Sequence, residues 1–334
     1  MYYNNIKDGI ILKSVMGEMI LYMGNSSRNK TINTSVEDGK KYLSRCICVS
    51  EINGHNDLLD KTLKGDCLEA LDKIESESID LVIADPPYNM RKSFNGNTFS
   101  KMQGDDYEEY TRRWMEKVKR VLKKNGSVYV CCDWESSIII GKVMSELFLV
   151  KNRITWQREK GRGAKRNWKN SLEDVWFAVN GEDYKFNLSA VKIKRKVLAP
   201  YQINGKPRDW IGSDEGKFRD TCPSNFWDDI TVPFWSMPEN TSHPTQKPEK
   251  LIAKMILASS DEEDVVLDPF LGSGTTSVTA KKLGRHYIGI ERDEQYCVFA
   301  EERLEMADND KTIQGYSDGV FWERNTFSEQ LKNK

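Results

Sequence analysis

The stretch from Asp264 to Glu291, DVVLDPFLGSGTTSVTAKKLGRHYIGIE, decides the fold. DVVL is a short apolar run that reads as a buried strand ending at Asp268. A turn carrying Gly272 and Gly274 follows, and Thr275–Leu283 has the spacing of a helix. YIGI, residues 287–290, reads as a second strand, ending at Glu291. Glycines in such a turn let the backbone approach a ligand, and the helix start offers unpaired N–H groups. Glu291 lies 23 residues beyond Asp268, where an acid commonly meets ribose hydroxyls in nucleotide-binding α/β folds. Ser277 replaces the third glycine of a dinucleotide motif, and no phosphate-loop lysine is present. An adenosine without a pyrophosphate fits this pattern better than a dinucleotide does.

Upstream, Pro248–Ser259 reads as another helix, and the same grammar appears earlier in the chain. SIDLVIA, residues 78–84, is a continuous apolar run of strand type. The stretch Tyr107–Lys124 has helical spacing, Asn125-Gly126 reads as its stop, and Ser127–Cys132 as a further strand. Strand, helix, strand in alternation predicts a doubly wound, mostly parallel α/β sheet. DPPYN, residues 85–89, directly follows the first of these strands. Its prolines fix the backbone and remove two donors, so the loop presents Asp85, proline carbonyls and Tyr88 in a rigid array. Those groups suit a flat ring with an exocyclic amine. Ligands of such sheets bind outside the carboxyl ends of the strands. Asp85, Asp268 and Glu291 are therefore expected in one crevice, although 182 residues lie between the first two.

Composition narrows the class. The chain has 334 residues, with 50 basic and 51 acidic side chains and a net charge of −1, so it is no uniformly basic coat. Residues 151–220 nevertheless carry 17 Lys and Arg against nine Asp and Glu. Seven cysteines without a Cys-x-x-Cys pair, and only three histidines, argue against a metal site and for free thiols in a reducing cytoplasm. No apolar stretch is long enough to span a membrane, and the first residues lack the marks of a secretory leader.

Taken together, these residues resemble the β group of amino-methyltransferases that act on DNA. Gly65-Asp66-Cys67, ahead of an amphipathic helix, is similar to the family segment whose acid meets the cofactor adenine. His243–Pro248, HPTQKP, is similar to the segment upstream of the cofactor loop. Residues 154–180 are similar to a later segment of the catalytic sheet; Leu172 stands where a histidine often precedes the glutamate, and that position is given no role. DPPY first, a variable basic region next and the glycine loop last is the order of the β group.

The resemblance implies an S-adenosylmethionine-dependent fold with an inserted target-recognition region, and a division of the chain. Residues 1–60 would be an extension of unknown role, and 61–182 the half of the catalytic domain that carries DPPY. Residues 183–240 would read the target, 241–306 would form the cofactor half, and 307–334 a tail. It implies transfer of a methyl group from S-adenosyl-L-methionine to the exocyclic N6 of adenine in double-stranded DNA. Asp85, Pro86, Pro87 and Tyr88 would be catalytic. Asp66, Asp268, Phe270, Gly272, Gly274, Thr275, Glu291 and Lys247 would bind the cofactor. The basic residues Arg158, Lys160, Arg162, Lys165, Arg166, Lys169, Lys194 and Arg195 suit DNA phosphates. A homodimer and an accompanying restriction endonuclease belong to the same expectation. Cytosine N4 is the nearest alternative target, and a catalytically silent DNA-binding regulator the alternative of another class.

Overall fold

The computed structural model describes residues 10–15, 18–23, 28–52, 58–89, 92–94, 97–99, 102–158, 166–197, 201–213 and 216–323. Its centre is a nine-stranded sheet. In spatial order the strands are Phe226–Trp227, Leu149–Gln157, Leu172–Val179, Leu122–Cys132, Ile79–Ala84, Val265–Asp268, His286–Glu291, Lys61–Lys64 and Ile47–Cys48. Leu172–Val179 runs antiparallel to both of its neighbours, while the other pairings are parallel. The strand that precedes Asp85 lies directly beside the strand that ends in Asp268, with Leu81 opposite Val266 and Val82 opposite Leu267.

Alternation along the strands divides the core into two layers. Val82, Ala84, Val128 and Val130 face one layer, against Leu71, Trp114, Val118 and Ile140 from the helices Cys67–Lys73, Gly104–Val121 and Trp134–Leu147. Leu81, Ile83, Tyr129 and Cys131 face the other, against Ile252, Met255, Val278 and Leu304 from the helices Glu249–Ser259, Thr275–Lys282 and Glu294–Asn309. Both faces of the central strands are covered, which is why they read as unbroken apolar runs.

One expected boundary moves. The helix ends at Val121, and the next strand begins at Leu122, so Asn125-Gly126 lies inside the strand. Leu122 is fully buried and pairs with Ile79; seating that side chain in the sheet outweighs another helical turn.

Three strands of the region from 183 to 240 form a second, five-stranded sheet with two from farther along the chain. Its order is Ile211–Ser213, Gly216–Thr221, Ile193–Lys196, Val320–Trp322 and Tyr316–Ser317. Val191, Ile193 and Phe321 pack on Ala253 and Leu257 of the helix Glu249–Ser259. Buried Lys254 donates to Asp229 Oδ1 at 2.6 Å, and Lys250 lies 2.9 Å from Asp229 Oδ2, tying the same helix to this region. At the other end, Ile47–Cys48 extends the main sheet, and Ile32 bridges to Thr241.

Candidate active site

A cleft of about 340 Å3 opens at the carboxyl ends of the parallel strands. It is lined by Asp66, Asp85, Pro86, Pro87, Tyr88, Lys247, Asp268, Phe270, Gly272, Thr275 and Glu291. Thus eleven of the twelve residues singled out for catalysis or cofactor binding share one cavity. Gly274 stands apart from the lining. It caps the helix Thr275–Lys282 at φ +87°, and a side chain there would come within 2.7 Å of Ala300. Its bareness serves close helix packing. Gly272, at φ +56°, does face the cleft, where a Cβ would lie 3.3 Å from His243 Nε2.

One half of the cleft is built of carboxylates that hold backbone. Asp66 caps its helix, accepting from Leu68 N at 2.9 Å. Asp268 Oδ1 accepts from Phe270 N at 2.9 Å, and Oδ2 from the Thr276 hydroxyl at 2.5 Å. Glu291 Oε2 accepts from Gly272 N at 2.8 Å, while Oε1 accepts from Arg292 N at 2.9 Å and Asp293 N at 2.8 Å. Glu291 therefore joins the end of one strand to the glycine turn after the other. Arg303 reinforces that turn from behind, donating to Ser273 O at 2.8 Å and Thr275 Oγ1 at 3.0 Å. Burial pushes Asp268 and Glu291 up to about 7.

The other half is a hydrogen-bonded quartet. Tyr88 Oη lies 2.9 Å from Asp85 Oδ1 and 3.3 Å from Glu173 Oε2. Lys247 Nζ donates to Asp85 Oδ2 at 2.6 Å and to Tyr88 Oη at 3.1 Å, and lies 3.4 Å from Glu173 Oε2. Lys247 and Glu173 are both buried. Burial alone would lower the Lys247 pKa, but Asp85 and Glu173 outweigh it and hold the ammonium charged. Burial, with Asp85 and Glu173 nearby, raises the Tyr88 phenol well above its ordinary value. Lys247 spans both sides of the cleft: its carbonyl accepts from Thr275 Oγ1 at 3.0 Å, and the loop after His243 carries its amine to Asp85. Glu173, given no role from sequence, enters because Leu172–Val179 is antiparallel. That strand begins where Leu122–Cys132 ends, with Asp174 opposite Cys132.

The basic residues divide. Arg158 pairs with Glu173 Oε1, so its charge is committed inside the protein. Lys194 lies over the Trp322 ring at 5.2 Å, and Arg195 lies 3.6 Å from Glu323 and 3.9 Å from Asp228. Arg166 and Lys169 are exposed. Lys160, Arg162 and Lys165 lie outside the described residues.

The model of a family described as DNA methylase, covering N6 and N4 amino-methyltransferases, matches residues 79–302. The chain belongs to this DNA methylase family. It is similar to the type II methyltransferase M.HinfI of Haemophilus influenzae, at 36% identity over 75% of this chain and 69% of that protein. It is similar to the DNA adenine methyltransferase YhdJ of Escherichia coli, at 36% identity over 73% of this chain and 82% of that protein. The solved PvuII DNA methyltransferase, described as cytosine-N4-specific, shares the fold at a TM-score of 0.54 and 21% identity, over 75% of this chain and 92% of that one. Among the described residues of this DNA methylase, no helix is long and apolar enough to cross a membrane, and no group of His, Cys, Asp and Glu is placed to hold a metal ion.

S-adenosylmethionine is the family's methyl donor, and the cleft fits it. The sulfonium charge suits a half lined by Asp66, Asp268 and Glu291. The carboxylates that titrate at about 7 give this fit a pH dependence. A cationic ligand favours their ionised form, so cofactor affinity should rise from pH 6 to pH 8, with proton release on binding below pH 7. The ligand-free protein shows the opposite sign. Both groups titrate near 4 when unfolded, so between about pH 4.5 and 7 the folded state holds more protons, and their contribution to stability falls as pH rises. Calorimetry in two buffers of different ionisation enthalpy measures the release; affinity flat across this range would refute it.

Proposed function

We propose that the protein methylates the exocyclic N6 of adenine in double-stranded DNA. The observation that carries this reading is the placement of Asp85, at the head of a loop whose two prolines carry no backbone N–H, beside the carboxylate half of one cleft. Asp66, Phe270, Gly272, Thr275 and Glu291 would hold S-adenosylmethionine, with Glu291 on the ribose and Asp66 near the adenine. When bound, S-adenosylmethionine supplies an electrophilic methyl group. The chain's task is then alignment and charge. The target base leaves the duplex, at a cost of a few kcal/mol. Stacking on Tyr88 would return about 1–3 kcal/mol of this. An amine conjugated to its ring is a poor nucleophile. Asp85 and the Pro86 carbonyl accept its hydrogens and favour a pyramidal nitrogen, and Asp85 can take the proton released as the new bond forms.

Adenine is favoured over cytosine by the aspartate that opens DPPY and by the name of the relative YhdJ. Residues 61–182 and 241–306 would be the catalytic halves. Residues 183–240 would read the target, within a sheet completed by residues 316–322. Exposed Arg166 and Lys169 remain as phosphate contacts. Work beside a restriction endonuclease is part of the reading, because the relative M.HinfI carries the name type II methyltransferase.

The test is incubation with S-adenosylmethionine and unmethylated genomic DNA, followed by digestion and mass spectrometry of the nucleosides. N6-methyladenine is the expected product. N4-methylcytosine would overturn the choice of base, and neither product would overturn the function. Affinity for DNA should also fall steeply with salt in filter binding; a flat response would remove the phosphate contacts from the reading.

A further inference from the structure

Both acceptor oxygens of Asp85 are already engaged: Oδ1 with the Tyr88 hydroxyl and Oδ2 with the Lys247 ammonium. Each carboxylate oxygen can accept a second hydrogen bond, so a substrate amine that donates to Asp85 competes with these donors for its position and its charge. A donor that is displaced needs another acceptor, because Lys247 is buried and Tyr88 half-buried, and an orphaned ammonium or hydroxyl in this setting is costly. Glu173 Oε2 is placed for both, 3.4 Å from Lys247 Nζ and 3.3 Å from Tyr88 Oη. A hydroxyl has a single proton, so Tyr88 can serve only one of its two carboxylate neighbours at a time. Arg158 holds the other oxygen of Glu173, which fixes the carboxylate while leaving Oε2 toward the loop. The four charges, Asp85, Glu173, Lys247 and Arg158, balance without the substrate, so handing a hydrogen bond over moves no net charge.

We propose that Glu173 is a positioning residue, the acceptor to which Lys247 and Tyr88 pass their hydrogen bonds when the substrate amine takes Asp85. The inference rests on the reading of Asp85 as the amine's acceptor. Without Glu173 the ammonium has no second anion among the described residues and stays on Asp85, in competition with substrate. The effect falls on turnover, since the cofactor half does not contain this residue.

The experiment compares wild type with Glu173→Gln, Glu173→Asp, Glu173→Gln/Lys247→Met and Asp85→Ala. Tritium transfer from S-adenosylmethionine to unmethylated genomic DNA gives kcat, and calorimetry gives cofactor affinity. Glu173→Gln should lower kcat roughly 10- to 100-fold, the range for a lost charge-assisted hydrogen bond, with cofactor affinity within about threefold. Glu173→Asp should fall between it and wild type. The double variant should turn over several-fold, about three- to tenfold, faster than Glu173→Gln alone, because removing the ammonium frees Asp85. A merely structural glutamate gives no such gain. Near-wild-type turnover for Glu173→Gln, a double variant no faster than the single, or loss of cofactor affinity in both Glu173 variants would each overturn the proposal. Asp85→Ala separates the two levels. If it still transfers methyl groups, the reading of Asp85 fails; if it is inactive while Glu173→Gln is normal, only the role of Glu173 fails.

Discussion

Asp85→Ala is expected to lower methyl transfer by about a thousandfold or more while leaving cofactor affinity within about threefold. The side chain reaches only the DPPY half of the cleft, where its partners are Tyr88 and Lys247. The carboxylates that hold the glycine turn, Asp268 and Glu291, make their bonds without it. Nor does the substitution strand a buried charge, because Glu173 remains within 3.4 Å of Lys247. The loss therefore reports on chemistry and not on folding. Asp85→Asn should be nearly as impaired, since its amide presents hydrogens to an amine that also presents hydrogens. Tritium transfer to DNA together with calorimetry decides the matter; turnover within tenfold of wild type would remove Asp85 from the mechanism.

Glu291→Ala should weaken S-adenosylmethionine binding by about a hundredfold or more. Three backbone N–H groups, those of Gly272, Arg292 and Asp293, depend on this carboxylate. Removing it releases the glycine turn from the end of its neighbouring strand and takes away the acceptor proposed for the ribose. Two effects thus fall on one ligand: a loosened floor and a lost contact. Glu291→Gln keeps the size and one acceptor and should lose less. It should also flatten the rise of affinity between pH 6 and pH 8. Titration calorimetry measures both, and an affinity within threefold of wild type for Glu291→Ala would contradict the assignment.

The parts of this site that sequence foretells are those with punctuation. Asp85, Asp268 and Glu291 each end an apolar run, and proline or glycine follows the first two closely, so their place at strand ends follows from local chemistry. Glu173 carries no such mark. It opens a strand, and only the antiparallel direction of that strand brings its first residues to the shared rim. Direction is a property of the whole sheet, which no local pattern records. Lys247 is a related case: its backbone carbonyl accepts from Thr275 beside the glycine turn, while its amine reaches Asp85, a contact that no local pattern records. Arg158 reads as a free cation within a basic run, and its partner is fifteen residues away across a strand pair. The strands near Tyr316 and Val320 are two and three residues long, too short to show alternation.

Those two short strands set an order of events during synthesis. Lys194 pairs across the five-stranded sheet with Trp322, so 127 residues must be made between the two halves of one ladder. The intervening chain includes the glycine turn, Glu291 and the helix Glu294–Asn309. While it is being made, the inner strand Ile193–Lys196 has an unpaired edge on one side, of the kind that invites mispairing. Its closing partner reaches the folding chain only after the glycine turn and Glu291 have emerged. On this topology the five-stranded sheet is closed only after the strands that form the floor of the cleft have been made.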